Sequence, residues 1–121
     1  MSLAFLYAGQ GTQHAGMGAD LYEAYPVFRA VLDGAQVAFD LKTTMFTDPD
    51  GVLNQTEYTQ PCMVAFAAGM TALLYERGIR PAYAAGLSLG EYSALEAAGV
   101  FTASEAIALA AFRGRAMAKA A

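Results

Sequence analysis

Few of the features that assign a chain to a class at first sight occur in this one. There is a single cysteine, Cys62, in 121 residues, so no internal disulfide can form and a reducing, cytoplasmic setting is expected. Charged residues make up only 15% of the chain, and the seven basic ones, set against eleven acidic, form no cluster. A net charge of −4 without a basic patch argues against nucleic acid as a partner. No apolar run reaches the roughly 18–20 residues of a membrane span. The longest candidate, residues 62–74, is too short, so no membrane association is expected. The chain starts directly on Leu3-Ala4-Phe5-Leu6-Tyr7 with no basic leader or cleavage site, and no secretory signal is expected. Repeats, low-complexity tracts and internal linkers are absent, and no metal site is expected.

What is present is apolar: 56% of the residues, enough for a substantial core in one modest domain. Residues 3–7 read as a buried parallel strand ending at Gly9, followed by the glycine-rich stretch Gly9-Gln10-Gly11-Thr12-Gln13. Helical spacing follows over residues 20–25 and 27–39, separated by Pro26. Thr47-Asp48-Pro49-Asp50-Gly51 is a turn. Thr59 or Gln60 is expected to cap a helix with Pro61 in its first turn, apolar nearly all round and stopping at Gly78. A second buried strand is expected over residues 81–85, then a helix over 91–98. Thr102-Ala103-Ser104-Glu105 is a capping box that opens a last helix, still helical in pattern at Ala121. The fold class is therefore α/β with a parallel sheet. Two strands are too few for such a sheet, which suggests the first part of a larger domain.

Between the second strand and its helix lies Gly86-Leu87-Ser88-Leu89-Gly90, a G-x-S-x-G pattern in a strand-turn-helix setting. A serine at such a turn is held in a strained conformation, and a side chain on Gly86 or Gly90 would crowd it. The turn also aims the backbone N–H of Leu89 toward an oxyanion formed at Ser88. Ser88 is thus a candidate nucleophile; the plainer alternative is a tight turn joining strand to helix.

Three stretches coincide with a known pattern: Leu6-Tyr7-Ala8-Gly9-Gln10-Gly11-Thr12-Gln13, Thr59-Gln60-Pro61, and the elbow continuing as Glu91-Tyr92-Ser93-Ala94-Leu95 with Phe112-Arg113-Gly114 some twenty residues later. In order and spacing they resemble the malonyl-CoA:acyl carrier protein transacylases of fatty acid synthesis, and more broadly the acyltransferase domains of polyketide synthases. The resemblance covers residues 3 to 121 here but well under half of the family's usual length. It implies an α/β-hydrolase-like core of which residues 1–121 are an incomplete N-terminal part, lacking the family's ferredoxin-like subdomain. It also implies that Ser88 takes a malonyl group from a coenzyme A thioester and passes it to the phosphopantetheine thiol of acyl carrier protein. Gln10 and Leu89 would supply the oxyanion amides, with Gly9 and Gly11 allowing close approach of the first loop. Arg113 would grip the free carboxylate of the malonyl group, against the plainer reading of a solvated cation near a helix end. Gln13 and Gln60 would brace the pocket, or make only ordinary loop and cap contacts. Leu87 stands where many members have histidine, and Ala8 where proline is frequent.

The resemblance places the general-base histidine beyond residue 121, and the only histidine here, His14, is not assigned that role. No permanently bound cofactor is expected, only malonyl-CoA as substrate. Acyl carrier protein is the expected partner, along with a complementing C-terminal half or self-association through a cut sheet. Two other readings stay open: a serine esterase of the α/β-hydrolase type, and a non-catalytic fragment or binding module.

Overall fold

A computed structural model describes residues 2–121. Two four-residue strands, β1 (Ala4–Tyr7) and β2 (Tyr83–Gly86), pair in parallel with Ala4 opposite Tyr83 and Tyr7 opposite Gly86. The crossover between them contains α1 (Ala19–Ala24), α2 (Pro26–Asp33), α3 (Leu41–Phe46) and α4 (Thr56–Glu76); α5 (Gly90–Ala97) and α6 (Ala103–Ala120) follow β2.

The long helix α4 is central, as its all-round apolar pattern requires. It packs on α6 along one flank and on α2 along another, and the core lies between them around Phe28, Leu32, Met45, Val64 and Ile107. Small residues set the close approach of α4 and α6. Ala106, Ala110 and Ala111 are buried, and a Cβ at Gly114 would lie 2.9 Å from both Glu57 Cα and the Thr56 carbonyl oxygen. The capping box at α6 is complete: Glu105 N donates to Thr102 Oγ1 at 3.1 Å and Thr102 N to Glu105 Oε1 at 2.8 Å. The last helix of the crossover stops as expected, with Gly78 in the left-handed region (φ 75°) just past α4.

Four expectations need correction. The helix expected over residues 27–39 ends at Asp33, with Gly34 at its C-cap. A separate short helix, α3, then follows, N-capped by Asp40, whose carboxylate accepts from Thr43 N at 3.0 Å. α4 starts at Thr56 rather than at Thr59 or Gln60, so Pro61 falls in its second turn. There it removes one intrahelical hydrogen bond, the one to the Glu57 carbonyl. The earlier start is stabilised by buried Thr59, whose hydroxyl donates to the carbonyls of Leu53 and Gln55. Finally, neither strand is buried on both faces. Phe5, Tyr7, Ala84 and Gly86 face the helices and are half-buried, whereas Leu6 (80% exposed) and Tyr83 (73%) stand on a face that nothing in the described residues covers.

Candidate active site

Ser88 sits at the turn between β2 and α5 with φ 53°, one of two non-glycine residues in the left-handed region among those described. Such a conformation strains an L-residue by about 1–3 kcal/mol and persists only where the surroundings enforce it. Here the enforcement is steric. A Cβ on Gly86 would lie 2.0 Å from the Gly90 carbonyl carbon and oxygen, and one on Gly90 would lie 2.3 Å from the Tyr7 carbonyl oxygen. Strand, turn and helix therefore fit together only with hydrogen at both positions. The Ser88 side chain is left exposed at the end of the strand.

The same close packing brings the first loop to the elbow. Leu87 N donates to the Tyr7 carbonyl at 3.3 Å, and a Cβ at Gly9 would stand 2.9 Å from the Leu87 carbonyl oxygen. Gly11 has a different reason to be glycine: nothing lies within 4 Å of its Cβ position, but its φ is 131°. Close approach therefore explains Gly9 and not Gly11. Gln13 fixes the loop from inside, accepting from Gly11 N at 2.8 Å through Oε1 and donating from Nε2 to Asn54 Oδ1 at 2.8 Å. The Gln10 side chain donates to Thr56 Oγ1 at 3.1 Å, tying the loop to the start of α4. The backbone N–H groups of Gln10 and Leu89 donate to no protein acceptor among the described residues, so both remain available to a ligand.

Arg113 reaches this point from α6. Its Nη2 donates to Ser88 Oγ at 3.1 Å and its Nη1 to Gln60 Oε1 at 2.9 Å, while its guanidinium carbon lies 5.7 Å from the centroid of the Tyr92 ring. Gln60 is fully buried, and its Nε2 donates to the sulfur of Met117 at 3.2 Å. No carboxylate pairs with Arg113 among the described residues, where the one ion pair is Lys42–Asp33 at 2.8 Å. Beside the guanidinium opens a cavity of about 460 Å³, walled by Tyr92, Leu109, Phe112 and Met117.

Other reactive groups lie elsewhere. His14 is exposed, and its Nδ1 is 3.3 Å from the Ala15 carbonyl oxygen. Cys62 is buried in the core, and burial pushes its thiol up to about 12, so it stays protonated and inert at neutral pH. Glu91 is exposed in the first turn of α5, where a carboxylate suits the helix dipole. Among the described residues no three His, Cys, Asp or Glu side chains gather as metal ligands, and no helix is long and apolar enough to cross a membrane.

Sequence reasoning placed Ser88, Arg113 and Gln60 in one neighbourhood but missed Met117, Thr56 and Asn54, which hold the three glutamines. Met117 carried a readable signal. It lies four residues after Arg113, hence on the same side of α6. Thr56 and Asn54 carried none, because a hydrogen bond across some forty residues leaves no local trace.

Comparison with known proteins gives a consistent family. The acyl transferase domain model matches residues 4–121. A malonyl CoA-acyl carrier protein transacylase from Staphylococcus aureus is 39% identical over 119 residues, a match spanning 97% of this chain and 38% of that protein. The crystal structure of MCAT from Streptococcus pneumoniae superposes with a TM-score of 0.93 at 47% identity, covering 99% of this chain and 40% of that one. A type II PKS acyl-carrier protein in complex with its malonyl-transacylase gives 0.92 at 38% identity, with 100% of this chain and 40% of that one covered. The chain thus spans about two fifths of the length of these transacylases. A match over nearly every residue, together with relatives well above 30% identity, establishes that this chain belongs to the acyl transferase domain family.

Proposed function

We propose that these residues carry the acyl-accepting half of a malonyl-CoA:acyl carrier protein acyltransferase of fatty acid or polyketide synthesis. The observation that carries this reading is the guanidinium of Arg113, held 3.1 Å from Ser88 Oγ with no carboxylate of its own. A half-buried arginine fixed by a neutral amide and a hydroxyl has its charge free for a ligand anion, and its planar fork suits a carboxylate. The free carboxylate of a malonyl group bound there would bring its thioester carbonyl beside Ser88.

Ser88 Oγ then attacks that carbonyl carbon. The new C–O bond forms as the carbonyl π pair moves onto oxygen, where the N–H groups of Leu89 and Gln10 receive it. A donor of this kind lowers the barrier by about 3–4 kcal/mol. Collapse of the intermediate breaks the C–S bond, and the coenzyme A thiolate leaves with the proton that Ser88 gave up. Reversal with the phosphopantetheine thiol of acyl carrier protein as attacking group regenerates the serine.

The proton must pass through a base. Exposed His14, turned onto the neighbouring Ala15 carbonyl, is poorly set for that task. The reading therefore assigns the base, the remaining sheet strands of an α/β-hydrolase-like core and the ferredoxin-like subdomain to polypeptide beyond these 121 residues. The uncovered sheet face supports this division, since a parallel sheet is ordinarily covered on both sides. Single, buried Cys62 agrees with a reducing cytoplasmic setting.

The test is covalent labelling. Incubated with malonyl-CoA, the catalytically complete form of the protein should gain one malonyl unit on Ser88, located by peptide mass spectrometry. Ser88→Ala should abolish the label. Arg113→Ala should lower malonyl transfer at least about a hundredfold while sparing acetyl-CoA, given the energy of a charged hydrogen-bonded pair. Labelling by simple esters but not by malonyl-CoA would overturn the transferase in favour of an esterase.

A further inference from the structure

We propose that Met117 is a positioning residue whose sulfur sets the orientation of the Gln60 amide and, through it, the aim of Arg113. The inference rests on the carboxylate-binding role of Arg113 proposed above. Gln60 is fully buried on α4, and both ends of its amide are engaged by α6: Oε1 accepts from Arg113 Nη1 at 2.9 Å and Nε2 donates to Met117 Sδ at 3.2 Å. A guanidinium has donors only, so Oε1 alone can face it. That choice turns Nε2 the other way, and a buried amide N–H without an acceptor is unfavourable.

The thioether of Met117 is the acceptor, weak but polarizable and on a side chain flexible enough to reach. Arg113 and Met117 are separated by four residues, so one face of α6 presents a donor and an acceptor to opposite ends of one amide. Removing the acceptor frees the amide to rotate in search of another partner. Nη1 of Arg113 then loses its fixed anchor, and Nη2 is no longer held beside Ser88 Oγ. Tyr92 limits the guanidinium on one side only, through its ring face.

Met117 is 45% exposed, so exchanges there leave the core intact. Leucine keeps the apolar bulk and deletes the acceptor; glutamine keeps similar length and offers a carbonyl oxygen. The catalytically complete form of the protein is assayed with malonyl-CoA and acetyl-CoA, as wild type, Met117→Leu, Met117→Gln and Arg113→Ala. Met117→Leu should lower kcat/KM for malonyl-CoA by about fivefold, the size of one ordinary buried hydrogen bond. The change should fall in KM, with acetyl-CoA unaffected. Met117→Gln should restore the malonyl preference, and the Gln60 side-chain amide resonances should move in Met117→Leu. Equal malonyl preference in Met117→Leu and wild type overturns the inference, as does an equal loss in the leucine and glutamine variants, which would mean bulk rather than an acceptor. If Arg113→Ala also leaves the malonyl to acetyl ratio unchanged, the carboxylate role of Arg113 is what has failed.

Discussion

The two faces of the β1–β2 sheet come from the same short strands and end in opposite states. Toward α4, Phe5 stacks on Tyr75 with ring centroids 6.2 Å apart, and the Tyr7 hydroxyl bonds Thr71 Oγ1. On the reverse face Leu6 and Tyr83 stand in the open, and Leu87 beyond them is 76% exposed. Alternation along a strand decides which residues point together. It does not decide which set is covered, because that depends on what other polypeptide arrives. Ser88 follows Leu87 at the end of β2, exposed and tied to the finished side by Arg113.

The largest effect on this contrast is expected from Gly90→Ala on the finished side. The new methyl would meet the Tyr7 carbonyl oxygen at 2.3 Å and the Ala8 carbonyl oxygen at 3.0 Å, both backbone atoms that cannot swing aside. Loss of at least about 3 kcal/mol of stability is expected, read from thermal or denaturant unfolding. Gly11→Ala is the control. With no neighbour within 4 Å it meets only the strain of its positive φ, about 1–3 kcal/mol. Equal melting of the Gly90 variant and wild type would show that close packing does not hold the elbow.

A middle-sized effect separates the faces directly. Leu6→Glu with Tyr83→Glu, on the open face, should change the stability of the isolated chain by no more than about 1 kcal/mol. Phe5→Ala, one residue away and turned to α4, should lower it by about 2 kcal/mol. Sedimentation of the isolated chain should show less self-association in the double glutamate variant than in wild type. Unfolding of that variant would mean that the open face carries packing of its own.

Legibility in the sequence follows the range of the interaction. The elbow was readable because its pattern is local, with Gly86 closing on Gly90 four positions later, and so was the capping box, closed between Thr102 and Glu105; that Gly90 also meets the Tyr7 carbonyl was not. α3 was not readable, since it is only six residues long with two poor helix formers, Thr43 and Thr44, at its centre, and its stability comes from burying Leu41 and Met45. The start of α4 was misplaced because Pro61 looks like a first-turn proline. What extends the helix is a threonine hydroxyl bonded back to Leu53 and Gln55. Arg113 was legible through resemblance alone; its hold on Gln60 across fifty-three positions is a property of the α4–α6 packing.

The finished side contains one imperfect fit, and it sharpens the comparison in its own way. Glu96 on α5 lies half-buried near Tyr7 of β1 and Tyr75 of α4, whose hydroxyls stay protonated at neutral and acid pH, with Arg80 over the Tyr75 ring. Its Oε1 is buried without a hydrogen-bond partner among the described residues. Burial raises its carboxyl from the ordinary 4.5 to about 7. Below pH 4.5 the group is neutral in both folded and unfolded chains and adds no pH dependence. Between 4.5 and 7 the unfolded chain gives up the proton while the folded one retains it, so stability falls as pH rises and levels off above that range. Asp33, Asp40 and Glu105 act in the opposite direction, because lysine or amide donors hold their carboxyls below the usual range. Their contribution is lost only as pH falls through more acidic values. Glu96→Gln should therefore flatten the melting temperature between pH 4.5 and 7 and leave the acid limb in place. If the downward slope persists in that variant, its source lies in another group, and the covered face is better matched to its helices than Glu96 indicates.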